Sequence, residues 1–237
     1  MRQLPLPVRL RTSSVFASYF AGVNSLSVRQ LVDLAPGVRP PVVWIYGHQG
    51  VGKTHLLQAI CAQAGSNDQA ATYWPLRESA AFDAELLIGC ESLAFVCLDD
   101  LEAIAGDDAW ERAIFRLYTE IEDRGGRIVV AASVPPSSLP IKLRDLASRL
   151  AAGAVLRLQA LTDDEQIAAL GLRAKQMGLE LPNEVAQFLL RHLPRDMTSL
   201  CGALDALDQA SLVTQRRLTV PFVRNVIGAI EQENRRP

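Results

Sequence analysis

The stretch Gly47-His48-Gln49-Gly50-Val51-Gly52-Lys53-Thr54 constrains this chain more than any other. It satisfies G-x-x-x-x-G-K-[ST], the phosphate-binding P-loop. Val42-Val43-Trp44-Ile45-Tyr46 before it is a short β-branched and aromatic run, the pattern of a buried parallel strand. His55 to Ala62 after it has the composition of a helix. Glycines at 47, 50 and 52 let the backbone bend so that its N–H groups approach phosphate oxygens. The helix N-terminus adds a partial positive charge. In such a loop Lys53 reaches the β/γ-phosphates and Thr54 offers its hydroxyl to Mg²⁺. A glycine turn that only joins strand to helix would not require Lys-Thr at its end.

The rest of the chain repeats the strand–helix alternation as far as residue 159. Strands are predicted at 42–46, 71–76, 93–98, 127–133 and 154–158, and helices at 25–34, 55–62, 79–88, 107–124 and 141–150. Leu26, Leu31 and Leu34 are expected to face inward from the first helix. Alternation of this kind implies right-handed βαβ units and a parallel, doubly wound α/β sheet. From Thr162 onward only helical patterns occur, over 162–178, 182–193, 197–213 and 219–230. Thr162-Asp163-Asp164-Glu165 is a capping box that opens the first of them. The predicted organisation is therefore a flexible N-terminal peptide over 1–12, an α/β P-loop nucleotide domain over 13–159 and a small all-helical domain over 160–237.

Composition narrows the setting. The chain has 237 residues, 49% hydrophobic and 21% charged, with net charge −2. That balance does not suit a free-standing nucleic-acid binder, which is usually basic. The four cysteines, at 61, 90, 97 and 201, form no C-x-x-C and no zinc-spaced set, consistent with a reducing, cytoplasmic setting. No N-terminal apolar signal segment and no membrane-length apolar run is predicted.

Asp99-Asp100 ends the apolar run 93–98. Ligands of open α/β sheets sit at the carboxyl ends of strands. Asp99 is therefore expected to hold Mg²⁺ through its water shell, and Asp100 to orient or deprotonate the attacking water. The competing reading is a pair of acids that caps the next helical turn. His48 is expected to be exposed near the phosphates, and the His55 ring to pack. Nothing local distinguishes Arg149, in Ala147-Ser148-Arg149-Leu150, from the other arginines, which make up all but three of the 24 cationic residues.

The motifs together carry a family resemblance. Gly47 to Leu57 resembles the P-loop of the DnaA family of replication initiators, within the AAA+ ATPases. Leu98-Asp99-Asp100-Leu101-Glu102 is similar to their Walker B segment, and Leu146-Ala147-Ser148-Arg149-Leu150 to the box that holds their arginine finger. Leu181 to Leu189 resembles the start of the second helix of their lid. The resemblance covers about residues 12–230. Neither the initiators' N-terminal helicase-binding domain nor their C-terminal helix-turn-helix domain is expected here. Gln3-Leu4-Pro5-Leu6-Pro7, Ile104 to Glu111 and Leu218 to Val223 resemble instead the DnaA-homologous regulatory inactivators.

That resemblance implies ADP or ATP with Mg²⁺, contacted by Gly47, Gly50, Val51, Gly52, Lys53, Thr54, His55 and Asp99. It implies two partners: the sliding clamp, the beta subunit of DNA polymerase III, and the initiator DnaA, whose bound ATP is hydrolysed on contact. Gln3, Leu4, Leu6 and Pro7 would be the clamp-binding positions and Arg149 the residue inserted toward DnaA's nucleotide. DNA would be met only through the clamp, and a homodimer stays open. Two positions depart from the initiators: Thr198 stands where the lid sensor arginine is usual, with Arg195 three residues earlier, and Ser133 stands at the sensor after the fourth strand. These departures favour holding a nucleotide over turning it over quickly. The competing readings are a self-sufficient ATPase of the helicase-loader kind and a DNA-binding initiator fragment.

Overall fold

The computed structural model describes residues 14–233, with side chains to residue 228. Gln3, Leu4, Leu6 and Pro7, the expected clamp-binding positions, lie outside the described residues. The chain divides into two compact units with the boundary between Gln159 and Ala160; the three loop residues Gly50–Gly52 group with the second unit. Among the described residues, no helix is long and apolar enough to cross a membrane.

The first unit is built on five parallel strands: β1 (Val42–Tyr46), β2 (Ala71–Pro75), β3 (Phe95–Asp99), β4 (Arg127–Ala132) and β5 (Ala154–Arg157). Their order is β2-β3-β4-β1-β5. All four pairings are parallel, including Tyr73↔Cys97, Pro75↔Asp99 and Val42↔Ile128. The fold is thus the α/β doubly wound class expected. The three interior strands, β3, β4 and β1, are buried on both faces apart from half-buried Tyr46, which is why they read as continuous apolar runs rather than alternating ones. On one face Trp44, Val96, Leu98, Ile128 and Val130 pack with Trp110, Ile114, Leu117 and Ile121 of α3 (Asp108–Arg124). Helix α2 (Lys53–Ser66) runs against β2, β3 and β4 and buries Leu56, Leu57 and Ile60.

Two local signals hold α3. Asp107 caps its start, accepting from the Ala109 and Trp110 amides, and Gly125 ends it at φ +76°, a left-handed conformation that favours glycine. Glu111 on this helix is buried and accepts three backbone N–H groups, from Gly106 (2.7 Å), Lys142 (3.1 Å) and Leu143 (2.8 Å). Its carboxylate thereby fixes the loop that leads into α4 (Arg144–Ala151).

Two expectations fail. The helix predicted over 79–88 is instead a pair of 3₁₀ turns, Leu76–Ala81 and Ala84–Leu87, separated by extended Phe82. Asp83 accepts the Glu85 amide and starts a new turn there, so the two pieces never share one axis. In α1 (Ser25–Val32) the inward residues are Val28 and Leu31, while Leu26 is 71% exposed. At 100° per residue Leu26 lies about 140° round the helix from Leu31, so the two cannot share an inward stripe.

The second unit is all helix: α5 (Asp163–Gln176), α6 (Asn183–His192), α7 (Met197–Thr214) and α8 (Val220–Glu233). The Thr162 capping box forms as expected, with Glu165 returning a bond to the Thr162 amide. Leu170, Val185, Leu189, Leu200, Leu204 and Val223 form its core. Arg173 on α5 donates to both carboxylate oxygens of Asp205 on α7, at 2.6 and 2.9 Å.

Candidate functional site

The P-loop lies between β1 and α2, and its backbone needs glycine. Gly50 and Gly52 have φ of +82° and +93°. The Lys53 side chain turns back under the loop and donates to the carbonyls of Gly47 (2.7 Å) and His48 (3.1 Å). Lys53 is only 8% exposed, and among the described residues no carboxylate comes within ion-pair distance of it. Burial holds its pKa below the usual lysine value, opposed by the charges of Glu102, Asp100 and Asp99. A buried ammonium held by carbonyls alone lacks a charge partner, and an anion at the loop would supply one.

Asp99, at the end of β3, is 2% exposed and accepts three bonds. The Thr54 hydroxyl donates to Oδ2 at 2.6 Å, the Tyr73 hydroxyl to the same oxygen at 2.8 Å, and the Asp100 amide to Oδ1 at 3.1 Å. Thr54 and Asp99, named from separate motifs, thus meet. Asp100 is held at φ +54°, an unusual backbone for a non-glycine residue. Its carboxylate pairs with Arg77 at 3.1 Å. Burial and the charge of Asp99 push the Asp100 pKa up, and Arg77 opposes them. Glu102 accepts the Ser133 amide at 3.0 Å through Oε1, and its Oε2 is buried with no hydrogen-bond partner among the described residues.

These residues fit a Mg²⁺–nucleotide. Lys53 lacks a charge partner, Glu102 leaves a buried acceptor unfilled, and the Thr54–Asp99 pair is the hydroxyl–carboxylate set that hard cations take.

Tyr73, Arg77 and Glu102 escaped the sequence reading. Tyr73 sits in an ordinary strand and Arg77 among many arginines, so only strand register brings them to the two aspartates. Glu102 belongs to the segment that resembles Walker B, but no local signal there singles it out from its neighbours.

The other predicted positions separate. Val51 is half-buried within the loop. His48 is exposed. The His55 ring faces the N-terminal segment: its Nε2 is 3.0 Å from the Val15 carbonyl and 3.2 Å from the Ser18 hydroxyl, and the ring lies 5.6 Å from that of Tyr19. Arg149 is on α4, its guanidinium 5.2 Å from the Phe115 ring centre and 4.9 Å from that of Tyr118, both on α3. Its Nη1 is 3.5 Å from Glu122, and its side chain is 38% exposed. In the helical unit, α7 starts at Met197 with Asp196 as its cap, so Thr198 occupies the first turn and is exposed. Arg195 stands before the cap and pairs with Asp163 at 3.2 Å.

Comparison with known proteins follows the same division. Residues 43–154 match the ATPase family associated with various cellular activities (AAA), and residues 163–227 match the family described as Hda, lid domain. Domain III of the Thermotoga maritima replication initiation protein DnaA superimposes with a TM-score of 0.79 at 22% identity, over 94% of this chain and 98% of that one. AMPPCP-bound DnaA from Aquifex aeolicus gives 0.68 at 21% identity, over 84% of this chain and 66% of that one. The Thermotoga maritima RuvB branch migration motor gives 0.63 at 15%, over 90% and 73%. At these identities the structural likeness is one of fold. The chain thus carries an AAA domain followed by an Hda-type lid domain, on a fold like that of DnaA domain III.

Proposed function

We propose that this protein is a negative regulator of replication initiation, which holds ADP or ATP in its own P-loop and promotes hydrolysis of the ATP bound to DnaA. The Hda-type lid over residues 163–227 carries the reading. Lys53 and the loop amides would hold the phosphates, and Thr54 and Asp99 would hold Mg²⁺. The bound cation would neutralise phosphate charge and tie the loop to β3.

Arg149 acts outward. Glu122 and the faces of Phe115 and Tyr118 hold its guanidinium at a surface rather than in this chain's own phosphate loop. Held this way, it loses less freedom on entering the partner's nucleotide site, where it would stabilise charge on the transferring phosphoryl group. Gln3, Leu4, Leu6 and Pro7 would engage the sliding clamp as an extended peptide, raising the local concentration of the regulator near DnaA on DNA.

One observation favours a second reading. Lys53, Thr54, Asp99 and Asp100 form a complete hydrolytic set, which suits a self-sufficient ATPase acting as a helicase-loader-like remodelling factor. Against it, Asp100 is tied to Arg77, and Ser133 and Thr198 bring no charge to a γ-phosphate.

The deciding experiment mixes the protein with ATP-bound DnaA and DNA-loaded clamp and follows DnaA's ATP. Hydrolysis should accelerate, and should lose the acceleration when residues 1–8 are deleted. A mixture no faster than DnaA alone defeats the proposal. Rapid multiple turnover by the purified protein alone supports the second reading instead.

A further inference from the structure

Strand β2 brings a side chain to the nucleotide site that no phosphate-binding motif contains. Tyr73 pairs with Cys97 in the β2–β3 register, and Pro75 pairs with Asp99. Side chains at i and i+2 share a face, so Tyr73 and Asp99 are diagonal neighbours across the two strands. Diagonal Cα atoms lie about 7–8 Å apart, a gap that a long aromatic spans and a short polar side chain does not. The Tyr73 phenol spans it and donates to Asp99 Oδ2 at 2.8 Å.

The same oxygen accepts the Thr54 hydroxyl at 2.6 Å. The two donors differ in what a cation does to them. Thr54 is the hydroxyl a Mg²⁺–nucleotide would take as a ligand. Tyr73 is buried and has no such alternative use. With Thr54 taken by a cation, Tyr73 and the Asp100 amide would be left to hold the carboxylate in place.

We infer that Tyr73 is a positioning residue for the Mg²⁺ site, orienting Asp99 from β2 and so setting how strongly Mg²⁺ tightens nucleotide binding. The inference rests on the proposed Mg²⁺–nucleotide occupancy of the P-loop. Removing such an outer-shell partner typically weakens metal binding about 10- to 100-fold.

The test uses the full chain and a fluorescent ADP analogue, titrated in EDTA and across a Mg²⁺ series. Tyr73→Phe is isosteric and removes only the hydroxyl. The expected result is a rise of about tenfold in the Mg²⁺ concentration that gives half of the tightening, with the affinity in EDTA unchanged. Asp99→Asn sets the scale by removing most of the Mg²⁺ effect. Equal weakening with and without Mg²⁺ would mean a merely structural role and overturns the inference, as does an unchanged Mg²⁺ midpoint. Wild-type protein that binds no ADP in either condition overturns the nucleotide reading itself, and the inference with it.

Discussion

Two charged centres of the α/β unit, Asp99 and Arg149, are built in opposite ways. Asp99 is sealed from solvent, with three donors converging on one carboxylate. Arg149 is 38% exposed and is held by two ring faces and one carboxylate at 3.5 Å. A buried charge must be fully hydrogen-bonded or it destabilises the fold. An exposed charge escapes that requirement and can be redirected at little cost. On the proposed function, the difference suits one centre to retaining a nucleotide within the chain and the other to presenting a cation outside it.

That contrast breaks most sharply at Arg149. Arg149→Lys keeps the charge and loses the planar fork. Stimulation of DnaA's ATP hydrolysis should fall by about 10³-fold, or to the level of DnaA alone, as for loss of an arginine finger. ADP affinity of the variant, measured by calorimetry, should be unchanged; a parallel loss of ADP affinity would mean that the two centres are one. Lys53→Ala tests the retaining centre. Nucleotide affinity should fall about 10- to 100-fold, the worth of a hydrogen bond to a charged group. The smallest expected effect is at Phe115→Leu. Losing one ring face under Arg149 removes about 0.5–1 kcal/mol of cation–π contact and should lower the stimulation about two- to fivefold. Stimulation equal to wild type would show that the ring does not hold the arginine in its working position.

How much of this could be read from the chain depends on the range of the interaction. Lys53 and Thr54 are named by an eight-residue motif because loop and helix are contiguous. Asp99 is named by its place at the end of an apolar run. The Thr162 box is readable for the same local reason. The helix expected over 79–88 does not form because a favourable Asp83 cap outweighs helix propensity over so short a stretch. Leu26 was misassigned because two leucines five residues apart look like a stripe only until their angle round the helix is drawn.

The sequence by itself determined the parallel α/β sheet, the helical unit after residue 159 and the phosphate loop, since each rests on periodicity or on neighbours within a few residues. Only the tertiary structure decided that Tyr73 reaches Asp99, that Arg77 holds Asp100, that Glu111 fixes the approach to α4, and that Arg149 lies on Phe115 and Tyr118. Each of these joins residues 23 to 34 positions apart, or on different elements, and depends on strand register and helix rotation. One residue of slip in β2 would turn Tyr73 to the opposite face of the sheet.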